Sequence, residues 1–197
     1  MTTRIESELI HSSLFHDLSR NELAEVVRVA HEREVGRDEY FFHEGDPARV
    51  LYILTQGQAR LVQVTPEGSQ VILKFIAAGD MFGGVAFLGE AAYPASAQAV
   101  EDSAAATWDG ETIAHLMEQH PRIAMNALRH LAQRVEELQD RVRELATQRV
   151  ERRIANTLVR LAQQSGQSTP EGVLIDMPLS RQDLAELTGT TLYTVSR

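Results

Sequence analysis

The apolar positions of the chain change their period three times. Over residues 6–35, Leu9, Leu14, Phe15, Leu18, Leu23, Val26, Val27 and Ala30 recur at roughly helical spacing, which predicts short helices. Ser19 followed three residues later by Glu22 reads as a capping box and sets the start of one of them. From Glu39 to Asp109 the texture becomes short β-like runs at 40–43, 50–55, 59–65, 70–76, 96–101 and 104–108. Between them lie turn residues: Glu44-Gly45-Asp46-Pro47, Gln56-Gly57, Thr65-Pro66-Glu67-Gly68 and Ala78-Gly79-Asp80. Many short strands at close, regular spacing predict an antiparallel barrel or jelly roll.

After Pro121, a good first-turn residue, the period lengthens. Leu128, Leu131, Val135, Leu138, Val142 and Leu145 alternate steps of three and four, with Glu136, Glu137, Arg141 and Arg143 off that line. This is the seam of a two-stranded coiled coil on a helix that spans about 45 Å from 121 to 150. An amphipathic helix packed on its own domain would carry a broader stripe, so the narrow one favours a second helix as partner. A further helical pattern runs through Ile154, Leu158 and Leu161, followed by a polar stretch, 163–170, that predicts a loop.

The last segment, Leu179–Arg197, reads LSRQDLAELTGTTLYTVSR. Ser180 can cap a helix over 181–188, Gly189 permits a tight turn, and Thr190 or Thr191 can cap the next helix. Ala185 is small where a second helix must cross, and Leu184, Leu187 and Val195 face a shared core. A small residue, a glycine at plus four and an aliphatic at plus ten is helix-turn-helix spacing. An ordinary αα-hairpin would not need Arg181, Thr191, Thr194, Ser196 and Arg197, whose donors suit phosphates and base edges.

Composition narrows the rest. The chain has 197 residues, 43% hydrophobic and 24% charged, the profile of a globular protein. No apolar run can cross a bilayer, and residues 1–20 carry Arg4, Glu6, Glu8 and Asp17 in place of a signal-peptide core, so a cytoplasmic location with no membrane partner is expected. The net charge of −9 is unevenly spread, +1 over residues 149–197 and −10 over 1–148, and by itself neither requires nor excludes DNA. There is no cysteine, which removes disulfides, Cys-ligated zinc and iron–sulfur clusters.

Taken with Glu44-Gly45-Asp46, Gly57 and Gly79-Asp80-Met81-Phe82-Gly83, the 180–197 segment resembles the cyclic-AMP receptor protein and fumarate–nitrate regulator (Crp/Fnr) family of bacterial transcription factors, over essentially the whole chain. The resemblance implies an α+β architecture. An effector-sensing β jelly roll like a cyclic-nucleotide-binding domain occupies 1–120, a dimerisation helix 121–148, and a winged helix-turn-helix 149–197, the last expected to be cut short at Arg197. It implies a homodimer, double-stranded promoter DNA and RNA polymerase as partners, and no enzymatic activity. The DNA-facing set is then Ser180, Arg181, Gln182, Thr190, Thr191, Leu192, Tyr193, Thr194, Ser196 and Arg197. Within it Arg181, Thr191 and Thr194 are expected on phosphates, and Leu192, Tyr193, Ser196 and Arg197 on bases. The family usually has Glu where Tyr193 stands, and members reading the cyclic-AMP receptor's site have Arg where Leu192 stands, so the operator sequence stays open.

The effector positions also depart from the family. The Glu that accepts from the ribose becomes Gly84, the Arg–Ser pair on the phosphate falls on Ala95-Ser96, and the Thr–Ser pair that meets the base becomes Leu138-Gln139. This argues against cyclic AMP. The expected effector site is Met81, Phe82, Gly83, Gly84, Val85, Ala95, Ser96 and Leu138, with Met81, Phe82, Val85, Phe87 and Leu138 suggesting an apolar cavity or none. Heme sensing a diatomic gas, another small ligand, and regulation by abundance alone stay open. His11, His16, His31, His43, His115, His120 and His130 are the candidate heme ligands, and no spacing singles one out. A cupin-type metal enzyme has only His43-Glu44 in its favour and lacks the clustered His-x-His such sites need.

Overall fold

A 3-10 turn at Ser13–Phe15 and helix α1 (Arg20–Arg28) lead into eight strands. These are β1 (His31–Val35), β2 (Tyr40–Phe42), β3 (Val50–Gln56), β4 (Ala59–Val64), β5 (Gln70–Ile76), β6 (Met81–Phe82), β7 (Ser96–Ala99) and β8 (Ser103–Asp109), with a 3-10 turn at Gly84–Leu88. Helices α2 (Gly110–Gln119), α3 (Pro121–Thr147) and α4 (Val150–Ser165) follow, then the hairpin β9 (Gly166–Thr169) and β10 (Gly172–Ile175), and helices α5 (Arg181–Thr188) and α6 (Leu192–Ser196). The computed structural model describes residues 8–88 and 91–197. Residues 6–7 of the expected helical stretch, and the Phe87 side chain of the expected apolar cluster, lie outside what is described. By contacts the chain forms two units, 1–62 with 75–134, and 63–74 with 135–197.

The strands form two four-stranded antiparallel sheets, β1-β8-β3-β6 and β2-β7-β4-β5, the jelly roll expected from the turn spacing. The central pair β3 and β8 is apolar on both faces, and alternation sends successive side chains opposite ways. Leu51 and Ile53, with Ala106 and Trp108, meet a helical layer built from Leu9, Leu14, Phe15, Leu23, Val26, Ile113, Leu116 and Ile123. Tyr52, Leu54 and Ala105 face the barrel interior with Phe41, Phe42, Phe82 and Tyr93. The interior is an aromatic stack: Phe42 lies 3.7 Å from Tyr93 and Tyr52 4.9 Å from Phe82 between ring centres. The Tyr93 hydroxyl donates to the Val50 carbonyl at 2.7 Å and accepts from its N–H at 3.0 Å. Burial pushes the Tyr52 phenol up to about 12, so it stays neutral and is held by the Arg33 guanidinium at 3.2 Å.

Polar anchors tie the helices to this layer. Trp108 Nε1 donates to the Val26 carbonyl at 3.1 Å, and Asn126 Nδ2 donates to the carbonyls of Leu14 and His16 at 3.1 and 2.8 Å. The expected capping box is present, Ser19 and Glu22 each satisfying the other's N–H. At the β3–β4 turn Gly57 has φ +78°, and a Cβ there would sit 2.6 Å from the Asp102 carbonyl oxygen, so only glycine fits.

Two sequence expectations are corrected. Residues 31–35 were expected in a helical stretch and form β1, paired with β8 from His31↔Thr107 to Val35↔Ser103. Only Val35 of this edge strand is buried, so no two-residue alternation marks it. Residues 163–170 form no loop. Helix α4 continues to Ser165, and β9 pairs with β10 from Gly172↔Thr169 to Ile175↔Gly166. The residues of β9 are polar and mostly exposed, so the strand leaves no apolar trace.

Candidate nucleic-acid interface

The two C-terminal helices are fixed by local chemistry. Ser180 caps α5 in a capping box completed by Asp183: Ser180 Oγ accepts from the Asp183 N–H at 3.1 Å, and the Ser180 N–H donates to the carboxylate at 2.8 Å. Gly189 ends the helix in the left-handed region, φ 62°, ψ 45°, and the N–H groups of Gly189 and Thr190 both return to the Ala185 carbonyl. Thr191 then caps α6, its Oγ1 accepting from the Thr194 N–H at 3.3 Å. Leu184, Ala185 and Leu187 are buried and Val195 half-buried, as the helix-turn-helix spacing requires.

The expected DNA-facing residues fall into two groups. Ser180, Arg181, Gln182, Thr191, Leu192, Tyr193, Ser196 and Arg197 are exposed, Tyr193 at 72%. Ser180, Thr191 and Thr194 spend their hydroxyls on caps and on each other, and Gln182 Nε2 donates to Glu186 at 2.8 Å. Thr190 and Thr194 are half-buried.

Sequence reasoning missed what holds this unit together. Glu144 on α3 accepts both a close pair of bonds from Arg160 Nη1, at 3.0 and 2.9 Å, and one from Asn156 at 2.9 Å. Arg153 on α4 donates to the Thr188 carbonyl at 3.3 and 3.2 Å and to the Gln148 carbonyl at 3.2 Å. Arg141 on α3 donates to the Leu187 carbonyl. Arginines that serve carbonyls leave no periodic signal, but the spacing Ser180-x-x-Asp183 is legible in the sequence as a capping box.

In the other unit the expected effector residues do not form one wall. Met81 packs against the helical layer, whereas Phe82 and Val85 pack against the barrel interior, because neighbours on a strand face opposite ways. The single apolar cluster expected around them is therefore split. Gly83 has φ +70°, Gly84 opens the 3-10 turn, and Ala95 is buried. Ser96 Oγ accepts from the Glu44 N–H at 2.9 Å. Leu138 is an exposed residue of α3 in the second unit.

Two family models match the chain. Residues 32–120 match the cyclic nucleotide-binding domain family and residues 152–197 the Crp-like helix-turn-helix domain family. The chain belongs to the Crp/Fnr family of transcription regulators. It is 29% identical to the cyclic AMP receptor protein of Thermus thermophilus, over 94% of this chain and 83% of that one. It is 24% identical to the CRP-like cAMP-activated global transcriptional regulator of Mycobacterium tuberculosis, over 96% and 84%. The c-di-GMP responsive global regulator CLP of Xanthomonas campestris shares its fold, with a TM-score of 0.78 at 22% identity, over 91% of this chain and 89% of that one. Like other Crp/Fnr regulators, the chain is a DNA-binding transcription regulator. No helix among the described residues is long and apolar enough to cross a membrane.

Gly189 offers a direct check of this geometry. A Cβ there would meet only Leu145, at 3.7 Å, so Gly189→Ala is opposed by backbone strain and not by a clash. It should cost about 1–2 kcal/mol, read as a fall in the denaturation midpoint, with Gly189→Asn losing less because Asn tolerates this region better.

Proposed function

We propose that this protein is a homodimeric regulator that reads a palindromic promoter site through α6 and is not controlled by cyclic AMP. The DNA-reading part rests on one observation: Leu192, Tyr193 and Ser196, with Arg197 just after them, are exposed on a helix that packs against α5. In this reading residues 1–120 sense, 121–148 dimerise and 149–197 bind DNA, with RNA polymerase as the partner at the promoter. Arg181, Thr191 and Thr194 contact phosphates, Arg197 contacts a guanine edge, and Leu192, Tyr193 and Ser196 complete the base-facing set. Ser180, Gln182 and Thr190 support them from the caps and the turn.

The dimer is supported by the stripe on α3. Leu128, Leu131, Val135, Leu138, Val142 and Leu145 are each 44–66% exposed, an apolar line that a second copy would bury. Leu131→Arg would put a charge into that seam. Sedimentation at micromolar concentration should then show a monomer, and an unchanged dimer would place the interface elsewhere.

Half-sites about 34 Å apart follow from a two-fold dimer that presents α6 to successive major grooves. Arg197→Ala should relax one guanine preference by about 1–3 kcal/mol. Arg181→Ala should weaken all sequences alike and lower the salt slope by about one. Binding titrations on a duplex selected from a random pool, and on its scrambled version, separate the two; equal effects would undo the assignment of roles.

The absence of cyclic AMP control is supported by the anchors that are missing. Gly84 and Ala95 supply neither the ribose acceptor nor the phosphate-pairing cation, and the Ser96 hydroxyl is held by Glu44. Losing both anchors removes roughly 3–6 kcal/mol, or two to four decades of affinity. Calorimetry with cyclic AMP should show no binding at micromolar concentration, and a micromolar Kd would overturn this part. Six of the seven candidate histidines, all but the half-buried His130, do not fit an axial heme ligand enclosed in one protomer. His11, His16, His31, His43 and His115 are exposed, and His120 has its ring nitrogens 3.5 and 2.9 Å from Glu22 and Glu25. A small apolar ligand, or regulation by abundance alone, accords better with the filled aromatic interior.

A further inference from the structure

We propose that Arg141 is a positioning residue for DNA recognition, a guanidinium clamp through which strand β5 sets the turn that launches α6. The proposal rests on the reading of α5 and α6 as the DNA-binding pair.

Arg141 lies on α3 away from the apolar stripe and is half-buried. Its Nη1 donates to the Leu73 carbonyl at 2.9 Å, and its Nη2 donates to the carbonyls of Ile72, at 3.1 Å, and Leu187. One planar group therefore joins two successive carbonyls of β5 to a carbonyl in the last turn of α5. The last carbonyls of a helix have no partner within it, and cationic donors there gain both from charge assistance and from the helix dipole. Arg153 takes the next carbonyl, Thr188, so both carbonyls before Gly189 are held by arginines from outside α5. A second contact runs the same way, Gln70 Nε2 of β5 donating to Glu186 Oε2 of α5 at 3.0 Å.

This arrangement gives residues 63–74 an unusual standing. They fall inside the 32–120 stretch that matches the cyclic nucleotide-binding domain family, yet their contacts group them with 135–197. A shift of the Ile72 and Leu73 carbonyls changes what Arg141 can reach and so changes the hold on Leu187. Lysine cannot substitute, because a single ammonium lacks the fork that spans both elements. Arg141 acts through the turn and touches no base.

The test uses the whole protein with Arg141→Lys, Arg141→Ala and, as a control, Arg143→Ala, an exposed arginine paired with Asp140 at 2.8 Å. Amide hydrogen exchange reads the turn directly. Exchange over residues 186–191 should rise about tenfold in both Arg141 variants and stay unchanged in Arg143→Ala, the size expected for one charge-assisted contact. On a duplex that the wild-type protein selects from a random pool, both Arg141 variants should bind about tenfold more weakly, with scrambled duplex affected less than twofold. Wild-type exchange and discrimination in Arg141→Lys would overturn the clamp, since charge alone would then suffice. A wild-type protein that selects no duplex would remove the DNA reading; the exchange data then decide alone, a rise in Arg141→Lys upholding the hold on the turn and no change overturning it.

Discussion

Two adjacent strands with apolar side chains on both faces impose the plan of the first unit. β3 and β8 cannot leave either face in water, so one side has to be filled by the barrel and the other covered by helices. The barrel side is met by aromatic rings, Phe41, Phe42, Tyr52, Phe82 and Tyr93, whose two phenols are satisfied by Arg33 and by the Val50 backbone. The other side recruits α1, α2 and the first turns of α3 around Trp108. The start of α3 is thus built into the first unit through Ile123, Asn126 and Ala127, while its later turns carry the exposed stripe. The apolar positions of α3 change from buried to exposed along its length.

Much of this could be read from residue order. The Ser19–Glu22 box, the strand-turn rhythm from 40 to 108, the stripe from Leu128 to Leu145 and the Ser180, Gly189 and Thr191 punctuation all rest on side chains that act over three or four residues. The strand β1 and the hairpin β9–β10 escaped, since an edge strand with one buried residue and a polar hairpin have no period to detect. The effector residues illustrate a different limit. Grouping Met81 with Phe82 by hydrophobicity ignores the alternation of a strand, which sends them to different cores.

The interface was legible in outline and not in its fastenings. Helix order, caps and exposed donors follow from local spacing. Arg141, Arg153 and the Glu144–Arg160 pair join residues far apart in sequence, and most of the arginine bonds end on backbone carbonyls, which no residue type announces. Six arginines in residues 149–197 looked equivalent when counted as charge. Two of them, Arg153 and Arg160, are occupied inside the unit, and four, Arg149, Arg152, Arg181 and Arg197, are exposed.

That division bears on how such a protein can recognise DNA with a net charge of −9. Counterion release scales with the number of phosphates neutralised, and four exposed arginines in residues 149–197 keep that number small. The acidic remainder further opposes indiscriminate binding. Discrimination then depends on placing a few base-facing groups within hydrogen-bonding geometry, where a displacement of a fraction of an ångström matters more than another distant charge. The placement of α6 is governed by the turn at Gly189, and that turn follows two carbonyls tied to arginines of neighbouring helices. An arginine held on a carbonyl is not free for a phosphate, so the bonds of Arg141 and Arg153 favour a fixed turn over general attraction to the DNA backbone.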